Sequence, residues 1–153
     1  MRVSICHVGF MGNNCYLIEA REDPTDCLLV DPGFDASFVL KTLAGRVPKA
    51  IILTHYHFDH VGAAEAVRAS TGAPVWAGEF DAAYLAGERP VPPGMAGVPH
   101  ITLDRRLRDG ETFAAAGVTW RVIHTPGHSP GGICLFAAGA AAKSVDAGGE
   151  FGG

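Results

Sequence analysis

No stretch of about 18 apolar residues occurs in the 153-residue chain, so no membrane-spanning helix is expected. The opening MRVSICHVGF lacks a basic region followed by a long apolar stretch, and no signal peptide is read there. Paired cysteines are missing too. Cys6, Cys15, Cys27 and Cys134 form no CxxC pair and sit mostly in apolar, strand-like runs. That spacing suggests reduced, buried thiols in a cytoplasmic protein. A basic excess is also absent. The net charge of −4 and pI near 5.9 leave no electrostatic reason to expect nucleic acid or an anionic membrane as partner. The only basic knot, Arg105, Arg106 and Arg108, reads as a solvated loop.

What is present fits one compact domain. Hydrophobic residues make up 48% and charged residues 18%, a balance that excludes a disordered polyelectrolyte. Short β-rich runs at 3–8, 15–19 and 27–31 are separated by the turn formers GFMGNN and Asp23-Pro24. Asp35 is placed to cap a helix ending near Gly45, and Ala50 to Thr54 reads as a strand buried on both faces. A helix is expected over 61–70, a strand at 75–77, a short helix at 80–85 and a Pro/Gly-rich loop at 87–99. A hairpin around Gly117 joins 112–115 to 118–124, TPGHSPGG (125–132) is a tight loop, and 133–136 is a last strand. Strands alternating with helices and hairpins predict an α/β fold with a mixed sheet. The main domain is expected over 1–136. Residues 137–153, of which 11 of 17 are Ala or Gly, read as a tail without convincing strand or helix.

The chemistry concentrates in THYHFDH (54–60), which holds three of the seven histidines and an aspartate. His55 and His57 are two apart, so on an extended segment both point the same way and can share an ion. Asp59 and His60 leave the backbone in different directions, and a bend between strand and helix can aim them at a second ion. The segment follows an apolar strand, where open α/β sheets place their sites. Imidazole and carboxylate are ligands of zinc and similar borderline metals. His128 in the glycine-rich loop is the natural distant ligand, whereas His7, His100 and His124 read as ordinary polar groups. Asp31, at a strand end before Pro32-Gly33, is a candidate for fixing histidine tautomers or simply a turn former.

THYHFDHVG together with HTPGHSPGG resembles the metallo-β-lactamase superfamily of metallohydrolases, and most of all its glyoxalase II (hydroxyacylglutathione hydrolase) branch. GNNCYLIE (12–19), LLVDPG (28–33) and DGETFAAAGVTWRVIHTPGHSPGG (109–132) extend the likeness to about Phe136. The resemblance implies an αββα sandwich with mixed sheets, incomplete at the C-terminus, and one or two zinc ions, with iron or manganese as alternatives. It implies His55, His57 and His128 around a first metal, and Asp59 and His60 at a second. Asp59 would also act catalytically by orienting a metal-activated water that cleaves a small-molecule thioester or ester. The chain departs from the family afterwards. No histidine follows His128, and the bridging aspartate is either Asp146, in Ser144-Val145-Asp146, or missing from a truncated tail. A phosphodiesterase or nuclease, a persulfide dioxygenase and an inactive metal-binding remnant are the rival expectations. Oligomeric state is left open.

Overall fold

The structure, a computed structural model, describes residues 1–139 and the backbone of 143–146. In chain order the elements are β1 (Arg2–Val8), β2 (Asn13–Glu19), β3 (Cys27–Val30), α1 (Ala36–Leu43), β4 (Ile51–Leu53), α2 (Phe58–Val61) and α3 (Ala64–Thr71). There follow β5 (Val75–Gly78), α4 (Glu79–Leu85), β6 (Arg105–Leu107), β7 (Thr112–Ala115), β8 (Val118–His124), β9 (Ile133–Phe136) and β10 (Lys143–Asp146). A seven-stranded mixed sheet runs β10-β1-β2-β3-β4-β5-β6, and a three-stranded antiparallel sheet runs β7-β8-β9. Strands β3 to β6 are mutually parallel, joined by the helical crossovers that parallel pairing requires.

Side-chain alternation along the central strands builds two cores. Cys27 and Leu29 of β3, with Ile51 and Leu53 of β4, face Val39, Leu43, Val61, Val67 and Leu85 of the helices. Leu28, Val30 and Ile52 face the opposite way, onto Phe113, Ala115, Trp120, Val122 and Ile133 of the small sheet. Near-continuous aliphatic sequence is therefore required in β3 and β4, because both faces are covered. The result is a helical layer on two stacked sheets. A second helical layer, outside the small sheet, is not present among the described residues. No helix among them is long and apolar enough to cross a membrane.

Several expectations need correction. Arg105 and Arg106 do not lie in a solvated loop but in edge strand β6, where Arg105 pairs with Glu111 and covers the Trp76 ring at 4.7 Å. Arg106 pairs with Glu88. Charge on an edge strand blocks further strand addition, and such a strand carries little apolar signal. The helix expected to begin at 61 begins at 58 as α2, then breaks at Gly62-Ala63 before α3, so Asp59 and His60 are helical rather than in a loop. Asp35 sits at the cap position without capping, because its carboxylate instead accepts the Gly9 N–H at 2.7 Å. Cys134 is exposed, unlike Cys6, Cys15 and Cys27, and all four are free thiols. The segment expected to hold no strand contributes β10, parallel to β1, with Asp146 in register with Ile5. The Asp146 side chain lies outside the described residues.

Close backbone approach locks the strand ends together. A Cβ on Gly33 would lie 1.8 Å from the Asp59 carbonyl oxygen, and one on Gly62 would lie 2.5 Å from the Gly33 carbonyl oxygen. The Gly33→Ala substitution is expected to cost about 3 kcal/mol in urea unfolding, since backbone must move. At Gly12, with open space and φ +65°, alanine is expected to cost about 1 kcal/mol. Equal losses at the two positions would contradict the close approach.

Candidate metal centre

Four segments converge at the C-terminal ends of the parallel strands. β3 and β4 are hydrogen-bonded neighbours, so Asp31 and Thr54, just beyond their ends, meet. Asp31 takes a left-handed turn (φ 51°), which an Asp tolerates, and its buried carboxylate turns back toward β4. Its Oδ1 accepts the Thr54 N–H at 2.8 Å, and its Oδ2 accepts the Thr54 hydroxyl at 2.6 Å. Asp31 is therefore both the turn former and a histidine partner, because the same Oδ2 lies 3.0 Å from His60 Nδ1. The loop between β8 and β9 is fastened across the sheets by the Ile133 N–H to the Thr54 carbonyl at 2.9 Å.

These hydrogen bonds decide which ring nitrogens are bare. Thr54 has one hydroxyl hydrogen, and Asp31 takes it. The contact between Thr54 Oγ1 and His55 Nδ1 at 3.0 Å must then be donated by Nδ1–H. That leaves Nε2 of neutral His55 with a free lone pair. It is buried and has no hydrogen-bond partner among the described residues. The same logic gives His60 an Nδ1–H directed at Asp31. Its bare Nε2 lies 3.2 Å from Asn13 Nδ2. The second hydrogen of that amide goes to Asp59 Oδ2 at 2.7 Å.

All five sequence-expected ligands lie in this region. His57 Nδ1 and His128 Nε2 are 3.0 Å apart, although 71 residues separate them. Ligand atoms of His55, His57 and His128 lie within 4.8 Å of one another, as do those of Asp31, His55 and His60. Asp59 belongs to neither set, but its Oδ2 is 3.7 Å from His60 Nε2. His124, read as an ordinary polar group, contacts the Pro130 carbonyl through Nε2 at 3.0 Å and stacks on Phe80.

Asn13, Thr54 and Asp81 were missed by sequence reasoning. Asn13 and Thr54 flank recognisable motifs, GNNCY and THYHFDH, and the polar residue at each motif edge was the available signal. Asp81 offered none, since its partners are 25, 48 and 50 residues away.

The electrostatics favour metal ligation. Burial, reinforced by the neighbouring His60, pushes His55 down to about 4, and burial with the adjacent His128 also lowers His57. Both rings are then neutral at pH 7, as ligation requires. Burial would lower His60, but the Asp31 hydrogen bond and the Asp31 and Asp59 charges outweigh it and raise its pKa. Burial works against ionising Asp59 as well, but the Asn13 hydrogen bond, its own backbone N–H and the nearby His60 and His55 together outweigh that and keep its carboxyl below the usual range. Nitrogen ligands about 2.0–2.1 Å from a tetrahedral ion stand about 3.3 Å apart. A bare, buried Nε2 beside two further ring nitrogens, in sets lacking sulfur, fits a zinc-like ion.

Comparison with known proteins agrees with this geometry. Residues 8–140 match the family model of the Metallo-beta-lactamase superfamily, and the chain belongs to that superfamily. It is 30% identical over 139 residues to hydroxyacylglutathione hydrolase GloC of Haemophilus influenzae, covering 87% of this chain and 65% of that one. Among solved structures, the B3 metallo-beta-lactamase BLEG-1 superposes with a TM-score of 0.74 at 28% identity, covering 88% of this chain and 66% of that one. TTHA1623 in a di-iron-bound form superposes with a TM-score of 0.66 at 31% identity, covering 86% and 65%. The chain thus spans just under two thirds of the length of these relatives.

The lowered His55 pKa carries a sign for stability. Between about pH 6.5 and 4 the unfolded chain binds a proton that native His55 refuses, so metal-free protein loses stability on acidification through that window. His60 works oppositely, its contribution being present below the unfolded pKa and lost as pH rises through its raised value. Urea unfolding of metal-free His55→Gln is expected to show a shallower acid slope from pH 6.5 to 4 than wild type. An unchanged slope would show that His55 titrates normally.

Proposed function

We propose that the chain is a metal-dependent hydrolase that cleaves a small-molecule thioester or ester. One observation carries this reading: the bare, buried Nε2 of His55 beside the facing ring nitrogens of His57 and His128. His55, His57 and His128 would hold the first ion. His60 would take part at a second, with His55 and Asp31 or Asp59 as its neighbours. An ion of this kind, zinc or iron, supplies Lewis acidity that brings the pKa of water to about 7 and polarises a carbonyl.

The chain's own groups do the rest. Asp59, held by Asn13, is an acceptor that orients the attacking water and takes its hydrogen bond. Asp31 and Thr54 keep the imidazoles in the tautomers that leave Nε2 without a hydrogen. Resemblance to hydroxyacylglutathione hydrolase GloC supports an acylthiol over other acyl groups. The net charge of −4 disfavours a polyanionic substrate.

Purified chain is expected to carry zinc or iron, measured by elemental analysis, and to hydrolyse an acylglutathione thioester faster than a β-lactam or a phosphodiester. His57→Ala should lose most of the metal and bring thioester turnover to background. Full metal content in that variant would remove His57 from the ligand set. Preference for the β-lactam or phosphodiester would overturn the substrate class.

A further inference from the structure

Asp81 stands in the first turn of α4 and is completely buried, a costly place for a carboxylate unless its oxygens are satisfied. They are satisfied entirely by the two loops that carry the first histidine set. Its Oδ2 accepts the Tyr56 N–H at 3.1 Å and the Ser129 hydroxyl at 2.7 Å, and its Oδ1 accepts the Gly131 N–H at 2.7 Å. Tyr56 lies between His55 and His57, and Ser129 follows His128. One carboxylate therefore grips the chain next to each of the three imidazoles, its hydrogen bonds going to their neighbours and not to the rings. The grip is tight. A Cβ on Gly131 would lie 2.3 Å from the Asp81 backbone nitrogen and 2.6 Å from Oδ1, so the loop rests directly on Asp81.

We propose that Asp81 is a positioning residue that sets the separation between His128 and the His55–His57 pair, and through it the affinity of that set for metal. This rests on the reading that the three imidazoles hold an ion. His128 needs such a tether, because it is exposed, on a loop, and 71 residues from His57. No close replacement for the carboxylate exists. An asparagine presents N–H to at least one of the three donors, and an alanine leaves all three buried without an acceptor.

A thermodynamic cycle separates positioning from general stabilisation. Zinc affinity is measured by competition with a chromophoric chelator for wild type, Asp81→Asn and Ser129→Ala, each with and without His128→Ala. Asp81→Asn is expected to weaken zinc binding about 10- to 100-fold, and Ser129→Ala about 3- to 10-fold. In the His128→Ala background either substitution should add less than about twofold, since the tethered ligand is gone. The same fold loss in both backgrounds, or none in either, would overturn the proposal. Should Asp81→Asn fail to fold, the Ser129→Ala cycle decides by the same criterion. A wild-type chain that takes up no zinc overturns the metal reading itself. The tether is then judged by amide hydrogen exchange in metal-free Ser129→Ala. Faster exchange at Gly131 with β7 and β8 still protected supports it, and unchanged exchange at Gly131 refutes it.

Discussion

The carboxylate of Asp31 is the constraint on which the site depends. It is buried at the seam between two parallel strands, and every hydrogen bond it accepts comes from a group that orients a histidine. A single oxygen takes the Thr54 hydroxyl and lies against His60 Nδ1, so it sets both rings, one directly and one through the threonine. Removing it would strand the half-buried Thr54 hydroxyl and amide, and would free both imidazoles to adopt the tautomer that turns N–H toward the centre.

The fold explains why this carboxylate can be where it is. β3 and β4 are aliphatic on both faces because helices cover one side and the small sheet the other. Their polar ends are then where a turn carries the Asp31 carboxylate inward. Gly33 and Gly62 let α2 press against the Asp31 turn, which brings Asp59 and His60 to the same end as His55 and His57. His128 arrives from the other sheet, on a loop joined to β4 through Thr54.

Much of this was legible in the chain itself. The strands and helices near the site follow the alternation of aliphatic runs with turn residues, and THYHFDH declares its candidate ligands because they are local. His128 was legible only beside that cluster. The elements that escaped had weak or opposing signals. β6 is three residues with two arginines, and the first turn of α2 carries the candidate ligands Asp59 and His60 rather than an apolar stripe. Asp35 looked like a cap because its sequence position is right, yet Gly9 offered a better donor. Asp81 could not be read at all, since what it holds is distant in sequence and near only once the sheets have stacked.

The tautomers are the most direct point of test. Long-range proton–nitrogen correlation spectra of the histidine rings, recorded on metal-free protein at mildly alkaline pH, report which nitrogen carries hydrogen. His55 and His60 should both show hydrogen on Nδ1 and a bare Nε2. Hydrogen on Nε2 of either ring would contradict the control of the site by Asp31.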